Sequence, residues 1–254
     1  MKLIDIAKIA KLSYEDEDVF KTKIKKITNP NDIHFIDASI DGYSDAQMYI
    51  LEYSDKILFT VRGSSSIEDM ITNIGLIKTL FEDVQYSANI DNKKYQDIMV
   101  HNGFLQQYNT LKFYVMGNIF KRLWEKKYPK PIKVIFSSHS LGAAISSLLS
   151  TTLKAHFGSK VYIDNYTFGC PRIGNLNFMK FYDENVDKTH RYVNGNDIVT
   201  RIPKFLYAEY NDEIQIGKSD KENFISQNWG NLNDHKIDNY IKGLKRHIEK
   251  IIDF

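Results

Sequence analysis

The clearest pattern of apolar positions lies in the middle of the chain, at residues 132–149. Residues 132–136 form a short β-branched and aromatic run, which predicts a buried strand. From Leu141 onward, apolar residues recur at the spacing of a helix. The chain therefore passes directly from a strand into a helix, and Ser140 lies at the turn between them.

Apolar runs on both sides of this segment alternate between the two kinds of element. They predict strands at 34–39, 47–53, 57–62, 95–101, 161–168 and 191–193. They predict helices at 3–12, 104–124, 175–184 and 237–251, and a hairpin formed by residues 205–210 and 213–216. Strands that alternate with helices indicate an α/β fold, with a mostly parallel central sheet and helices on both of its faces. No internal repeat or linker divides residues 1–254, so we expect one domain.

A poorly patterned segment follows the third predicted strand. Four apolar residues mark a short amphipathic helix at its start: Ile67, Met70, Ile71 and Ile74. Beyond them, residues 76–96 contain several turn-forming residues and no sustained period. We expect residues 66–96 to lie over the surface as a lid.

Composition excludes several classes of function. The 34 basic and 32 acidic residues leave a net charge of +2, which argues against nucleic acid as the main partner. The single cysteine, Cys170, excludes an intramolecular disulfide framework and offers no metal cluster. No apolar run approaches the roughly 20 residues of a transmembrane helix. The predicted N-terminal helix is interrupted by charged residues, so it is amphipathic rather than a signal peptide, and we expect a cytoplasmic location.

The turn at Ser140 has the sequence context of a nucleophile elbow. A sharp strand-to-helix turn exposes a serine hydroxyl above the strand ends, beside the N–H groups of the helix terminus. Gly142 gives Ser140 an S-x-G frame, which the neighbouring serines lack, while Ser138 replaces the first glycine of G-x-S-x-G. The alternative is an ordinary strand–loop–helix with a serine-rich turn.

A serine nucleophile needs a base, and the base needs a carboxylate to orient it. In the strand–elbow–helix arrangement, the acid and then the histidine follow the serine along the chain. His235 and His247 lie far enough downstream, and His235 is better placed, at the junction of a loop and the closing helix. Asp197 directly follows a strand within an Asn-Gly-Asn-Asp turn, and the alternative is that this segment is only a turn.

A second glycine–serine turn follows the strand predicted at 57–62. The backbone N–H of Ser64 suits an oxyanion donor there, and the alternative is that Ser64 only caps the helix that follows. The second donor would be the N–H of Leu141, directly after the candidate nucleophile.

Six segments together resemble the class 3 lipases, the fungal-lipase-like branch of the α/β-hydrolases. They are VRGSSS (61–66), VHNGF (100–104), SHSLG (138–142), TFGCPRIGN (167–175), RYVNGNDIV (191–199) and DHKIDNY (234–240). The resemblance implies an α/β-hydrolase fold, a triad of Ser140, Asp197 and His235, and an oxyanion hole formed by Ser64 and Leu141. The sequence departs from the family pattern at three positions. Ser138 replaces a glycine, Thr200 stands where proline is frequent, and Cys170 stands where a small or polar residue is usual.

The activity implied by this resemblance is hydrolysis of carboxylic esters, typically acylglycerols, without a cofactor or metal. The substrate would be a lipid or small ester, and the lid would open in transient contact with a lipid interface. Phospholipase and feruloyl-type esterase activities are alternatives within the same chemistry. A different alternative is an inactive α/β-hydrolase scaffold that binds lipid or a protein. The sequence does not indicate an oligomeric state.

Overall fold

A seven-stranded sheet runs through the centre of the computed structural model, which describes residues 1–64, 75–87, 91, 93–125, 129–217 and 232–252. The strands of this sheet and of a separate two-stranded one are β1 (Asp32–Asp37), β2 (Gln47–Glu52), β3 (Lys56–Val61), β4 (Lys78–Leu80), β5 (Met99–His101), β6 (Ile132–His139), β7 (Val161–Phe168), β8 (Lys188–Asn194) and β9 (Ile214–Ile216). The helices are α1 (Leu3–Leu12), α2 (Glu17–Ile24), α3 (Glu82–Gln85), α4 (Asn102–Glu125), α5 (Leu141–Phe157), α6 (Leu176–Asn185), α7 (Leu232–His235) and α8 (Ile237–Ile252). Short 3₁₀ segments lie at Gly158–Lys160 and Ile198–Arg201.

The sheet is mixed, and most of its strands are parallel. Its strand order is β1-β2-β3-β6-β7-β8-β9. The pairs β1–β2 and β2–β3 are antiparallel, and the four pairs from β3 to β9 are parallel. β4 and β5 form a separate antiparallel pair. The predicted α/β class, with its mostly parallel central sheet, is therefore confirmed.

Helices cover both faces of the sheet because its strands are apolar on both sides. On one face, α4 and α5 share a continuous core with β3 and β6. On the other face, α1 and α8 pack over β7, β8 and β9, and α2 lies over β2 and β3. Alternate residues of β6 serve the two cores: Val134 and Phe136 face the first, and Ile135 faces the second.

The parallel order brings the carboxyl ends of four strands to the same edge of the sheet. β6 ends directly before Ser140, and β7 ends directly before Gly169. Ser64 follows the end of β3, and Asp197 follows the end of β8. Residues far apart in sequence therefore meet at this edge, where ligands and substrates bind in open α/β sheets.

The hairpin predicted from residues 205–216 does not form. Residues 205–210 contain no strand, and Ile214–Ile216 pairs in parallel with β8 instead. The open edge of β8 offers backbone hydrogen-bonding groups to β9. The 205–210 segment turns toward the loop before α6, where the Ala208 N–H donates to the Gly174 carbonyl at 2.8 Å. Tertiary partners thus override the local β pattern.

The predicted lid residues lie outside the described part of the chain. This applies to Ile67, Met70, Ile71 and Ile74. Of the predicted 66–96 segment, the structure describes residues 75–87, 91 and 93–96, which include β4 and α3. The single domain with a lid at 66–96 stays a prediction.

Candidate active site

Ser140 has the backbone conformation of a sharp elbow. Its φ of 58° and ψ of −131° lie outside the regions that L-residues ordinarily occupy. Such a conformation costs on the order of 1–3 kcal/mol and persists only where its surroundings enforce it. Here the Ser140 N–H donates to the Phe168 carbonyl at 2.9 Å. This hydrogen bond holds the turn after β6 against the last residue of β7.

Two small residues beside Ser140 allow helix and strand to approach closely. A Cβ atom at Gly142 would lie 2.3 Å from the Val61 carbonyl oxygen, so no larger residue fits against β3. Ser138, which replaces the expected glycine, makes a hydrogen bond through its hydroxyl. Its Oγ accepts a hydrogen bond from the Val61 N–H at 3.1 Å, within a fully buried contact. The departure from G-x-S-x-G therefore adds an interaction to the elbow.

Ser140, His235 and Asp197 form one hydrogen-bonded chain. The Ser140 hydroxyl lies 2.8 Å from His235 Nε2, and His235 Nδ1 lies 2.7 Å from Asp197 Oδ2. A carboxylate can only accept, so Nδ1 carries the hydrogen in this pairing and Nε2 accepts from the serine hydroxyl. That is the tautomer in which His235 can take the proton of Ser140.

These three hydrogen-bonded side chains are almost completely removed from solvent. Ser140, Asp197 and His235 are each at most 1% exposed. Burial alone would raise the pKa of the Asp197 carboxyl, but the His235 imidazole and hydrogen bonds from His235, Tyr240 and Val199 outweigh it and lower that pKa. Asp197 is therefore a carboxylate at neutral pH, suited to stabilise positive charge on His235.

Tyr240 is a neighbour of Asp197 that the sequence pattern did not indicate. Its hydroxyl donates to Asp197 Oδ2 at 2.5 Å, and the Val199 N–H donates to Oδ1 at 2.9 Å. In the sequence, Tyr240 is only one of the apolar positions along the closing helix. Its proximity to Asp197 depends on how α8 packs on β8, which no local pattern shows.

Gly169 provides room for the histidine–aspartate pair. Its φ is 65°, and a Cβ atom there would lie 2.8 Å from His235 Cε1 and 3.0 Å from Asp197 Oδ2. Any side chain at this position would displace the pair. The sequence signal was a glycine directly after a strand end, at the edge where the other candidates meet.

The candidate oxyanion residues border Ser140. Leu141 begins α5 directly after it, and Ser64 lies in the turn after β3. The turn lies against the elbow, because a Cβ atom at Gly63 would come within 2.8 Å of the His139 carbonyl oxygen. Donation by Ser64 and Leu141 to an oxyanion stays a prediction.

Asp234 contacts the turn that carries Asp197. It lies inside α7, and its Oδ2 accepts from the Asn196 N–H at 2.9 Å. Its carbonyl accepts from the Asn194 side-chain amide at 2.9 Å. Asp234 thus joins the turn that carries Asp197 to the segment that carries His235.

The other departures from the family pattern are accommodated in the structure. Thr200 donates its hydroxyl to the Asp197 carbonyl at 2.7 Å, which closes the turn that proline would otherwise stiffen. Cys170 is buried, with its thiol 3.2 Å from the Tyr210 hydroxyl. Within the described ranges, no group of three or more His, Cys, Asp or Glu side chains is arranged to hold a metal ion.

A family model described as lipase (class 3) matches residues 58–207, more than half of the chain. The chain is 32% identical over 141 residues to a secreted mono- and diacylglycerol lipase of Malassezia globosa, covering 52% of this chain and 44% of the relative. It is 30% identical over 151 residues to a chloroplastic phospholipase A(1) of Arabidopsis thaliana, covering 58% and 33%. The matches thus span less than half the length of these two relatives.

The fold also matches solved structures. Lipase II from Rhizopus niveus superposes with a TM-score of 0.71 over 91% of this chain and 90% of that structure, at 21% identity. The triacylglyceride lipase of Rhizomucor miehei gives the same TM-score, coverage and identity. At this identity the likeness concerns the fold, and it confirms the predicted α/β-hydrolase fold.

The expected cytoplasmic location is wrong. Several curated relatives are named as secreted or chloroplastic proteins. The expectation rested on the charge pattern of the first helix, but α1 is an integral part of the fold, with Ile6, Ala7 and Ala10 in a buried core. The alternation of apolar and charged residues in α1 is therefore explained by its packing in the fold and does not indicate a cellular location. In the part of the chain that the structure describes, no helix combines the length and apolarity needed to cross a membrane.

Proposed function

The chain belongs to the class 3 lipase family, and from this premise we propose that it hydrolyses the carboxylic esters of lipids, with acylglycerols as its substrates. The observation that carries the proposal is the buried hydrogen-bonded chain from the Ser140 hydroxyl through His235 to Asp197. The strained φ of Ser140 supports it, because strain of this kind is retained where a side chain must be presented for chemistry.

The reaction begins with acyl transfer to the serine. His235 Nε2 accepts the hydroxyl proton as Ser140 Oγ attacks the ester carbonyl carbon, and the carbonyl oxygen becomes an oxyanion. The N–H groups of Ser64 and Leu141 stabilise this oxyanion in our proposal. Asp197 stabilises the imidazolium, which then donates its proton to the departing alcohol. An acyl-serine remains.

Hydrolysis of the acyl-serine returns the enzyme to its starting state. Water attacks the acyl carbonyl while His235 takes one of its protons, and the oxyanion sites act a second time. As the bond to Ser140 breaks, His235 returns the proton to the serine oxygen and a carboxylic acid is released. Every step uses only the side chains and backbone groups named above and water.

We place contact with a lipid surface on a rim of exposed apolar side chains. Ile77 is 69% exposed and Phe205 is 75% exposed, with Leu76 and Leu206 beside them in sequence and also exposed. The two segments are neighbours in space, because the Tyr207 hydroxyl donates to the Ile77 carbonyl at 3.2 Å. Exposed apolar clusters of this kind are typical of interaction surfaces.

Hydrolysis of p-nitrophenyl esters with short to long acyl chains tests the proposed activity. We expect Ser140→Ala to abolish hydrolysis. Ser150→Ala removes a buried hydroxyl from α5, the helix that begins after Ser140, at a position away from the elbow. This variant should retain hydrolysis. Folded wild-type protein that hydrolyses no ester, even with lipid vesicles present, would instead favour a scaffold that binds without catalysis.

A second assay addresses the substrate and the lipid surface. Wild-type protein should hydrolyse diacylglycerol emulsions faster than phosphatidylcholine vesicles, and the opposite order would favour a phospholipase. Phe205→Asp should reduce activity on emulsions more than on a soluble short-chain ester. Trp124→Asp is the matched control, because Trp124 is equally exposed but lines a cleft at the opposite edge of the sheet. Equal losses on both substrates would contradict the proposed surface.

A further inference from the structure

A row of hydrogen-bonded polar groups, buried at His139 and partly buried at Tyr14, lies beside the candidate catalytic residues. His139, the residue before the nucleophile, is buried and places Nε2 2.7 Å from the His235 carbonyl oxygen. Its Nδ1 lies 2.7 Å from the hydroxyl of Tyr14. The two rings of His139 and His235 are also in contact, with centroids 4.6 Å apart. The chain thus links the N-terminal segment to the main chain of the candidate base.

The direction of each hydrogen bond follows from the chemistry of its partners. A carbonyl oxygen can only accept, so His139 Nε2 carries the hydrogen and donates to His235. Nδ1 of the neutral ring then has a free lone pair and accepts from the Tyr14 hydroxyl. Burial, followed by the His235 imidazole beside it, lowers the pKa of His139 to about 3, so the His139 ring is neutral at pH 7. Burial raises the pKa of Tyr14, so its hydroxyl keeps its proton.

The same chain touches the turn that follows β3. A Cβ atom at Gly63 would lie 2.1 Å from the Tyr14 hydroxyl oxygen and 2.8 Å from the His139 carbonyl oxygen. Gly63 directly precedes Ser64, a candidate oxyanion donor. Tyr14 and His139 therefore contact the segments that carry the nucleophile, the base and one oxyanion donor.

We propose that Tyr14 and His139 are positioning residues, which hold the main chain of His235 so that its imidazole stays aligned between Ser140 and Asp197. This inference rests on the proposed hydrolytic function. Tyr14 lies before the family-matched residues 58–207, and His235 lies after them. The hydrogen bonds from Tyr14 through His139 to His235 thus connect the N-terminal segment to the candidate active site, a connection that the family match does not assign.

Substitution of His139 is the main test. In His139→Leu, the buried carbonyl of His235 loses its donor, so His235 can drift from the serine. We expect kcat on a soluble p-nitrophenyl ester to fall at least ten-fold with KM unchanged. Titration with a fluorophosphonate at saturating times should still give one reactive serine per chain. His139→Gln, whose amide can donate from the position of Nε2, should recover most of the loss.

Two further variants separate positioning from stability. Tyr14→Phe should have a smaller effect than His139→Leu, because the bond from Nε2 to His235 remains. Leu153→Ala removes a buried side chain roughly 18 Å along α5 from its start. It should reduce stability while kcat per titrated serine stays at the wild-type value. Equal kcat per serine in His139→Leu and Leu153→Ala, or equal impairment of the Leu and Gln variants of His139, would overturn the proposal.

An NMR measurement tests the alignment without substrate. The hydrogen between His235 Nδ1 and Asp197 should give a low-field proton resonance in wild-type protein, in His139→Gln and in Leu153→Ala. It should be lost or broadened in His139→Leu. If the wild-type protein hydrolyses no ester, the proposed function fails while this comparison still decides the inference. Persistence of the resonance in His139→Leu would overturn it.

Discussion

Replacing Tyr240 with phenylalanine tests how Asp197 is held. Tyr240 is fully buried, and its hydroxyl donates to Asp197 Oδ2 at 2.5 Å, the same oxygen that faces His235. Phenylalanine keeps the ring that packs against Phe168 and removes only the hydroxyl. The substitution therefore isolates one hydrogen bond to a buried carboxylate.

A hydrogen bond to a charged group contributes about 1.5–3 kcal/mol to stability, so Tyr240→Phe should lower the free energy of unfolding at pH 7 by that amount. The effect should depend on pH, because this bond helps to lower the pKa of Asp197. A carboxyl with a lowered pKa in the folded state stabilises the protein fully above its unfolded pKa, near 3.9, and this contribution is lost as the pH falls through the folded value. The difference between variant and wild type should therefore shrink below about pH 4.

Urea unfolding across this pH range measures the stability, and ester hydrolysis measures the catalytic effect. Because Asp197 keeps its bonds to His235 and to the Val199 N–H, kcat should fall by less than ten-fold, with KM unchanged. Tyr108→Phe is a matched control, since this buried hydroxyl lies 3.0 Å from Asp83 and 2.8 Å from Thr152. It should lose stability but retain kcat. Wild-type stability in Tyr240→Phe, or equal loss of kcat in the two variants, would refute the reasoning.

Three further substitutions or modifications test the surroundings of the site. Gly169→Ala should lower kcat at least ten-fold in a folded protein, because its Cβ would press on His235; wild-type kcat would contradict this close approach. Ser138→Ala should lower the free energy of unfolding, measured in urea, by about 1–3 kcal/mol, because the Val61 N–H loses its buried acceptor; an unchanged value would show that the bond contributes nothing. Burial raises the pKa of Cys170 to about 11, so its thiol should react with Ellman's reagent at about pH 8 only after unfolding, and rapid reaction of the folded protein would oppose this.

The parts of the structure that local patterns specify could be predicted from the sequence. The strand at 161–168 has the bounds expected from its apolar run, and α5 begins directly after Ser140 as the helical spacing indicates. Ser140 and Asp197 could be proposed because each follows a predicted strand, and the carboxyl ends of parallel strands meet at one edge of the sheet. His235 could be proposed because it follows them along the chain and lies where a loop meets the closing helix. The structure places these three side chains within hydrogen-bonding distance.

The parts that depend on distant packing could not be predicted. Tyr14 and His139 are 125 positions apart, and nothing near Tyr14 in the sequence indicates a partner beside the elbow. Tyr240 has the same limitation, because its hydroxyl reaches Asp197 only through the position of α8. β6 also extends three residues beyond the predicted 132–136, because Ser137, Ser138 and His139 pair with β7 despite their polar side chains. In each case a tertiary contact decides what a polar residue does.

The central claim is that Ser140 is a nucleophile activated by His235 and Asp197. The most direct test is mass spectrometry of the wild-type protein after reaction with a fluorophosphonate, with the modified residue located by peptide mapping. The account predicts one adduct per chain, on Ser140, and none on the other serines of the elbow. An unlabelled folded protein, or an adduct on Ser137 or Ser138 instead, would contradict it.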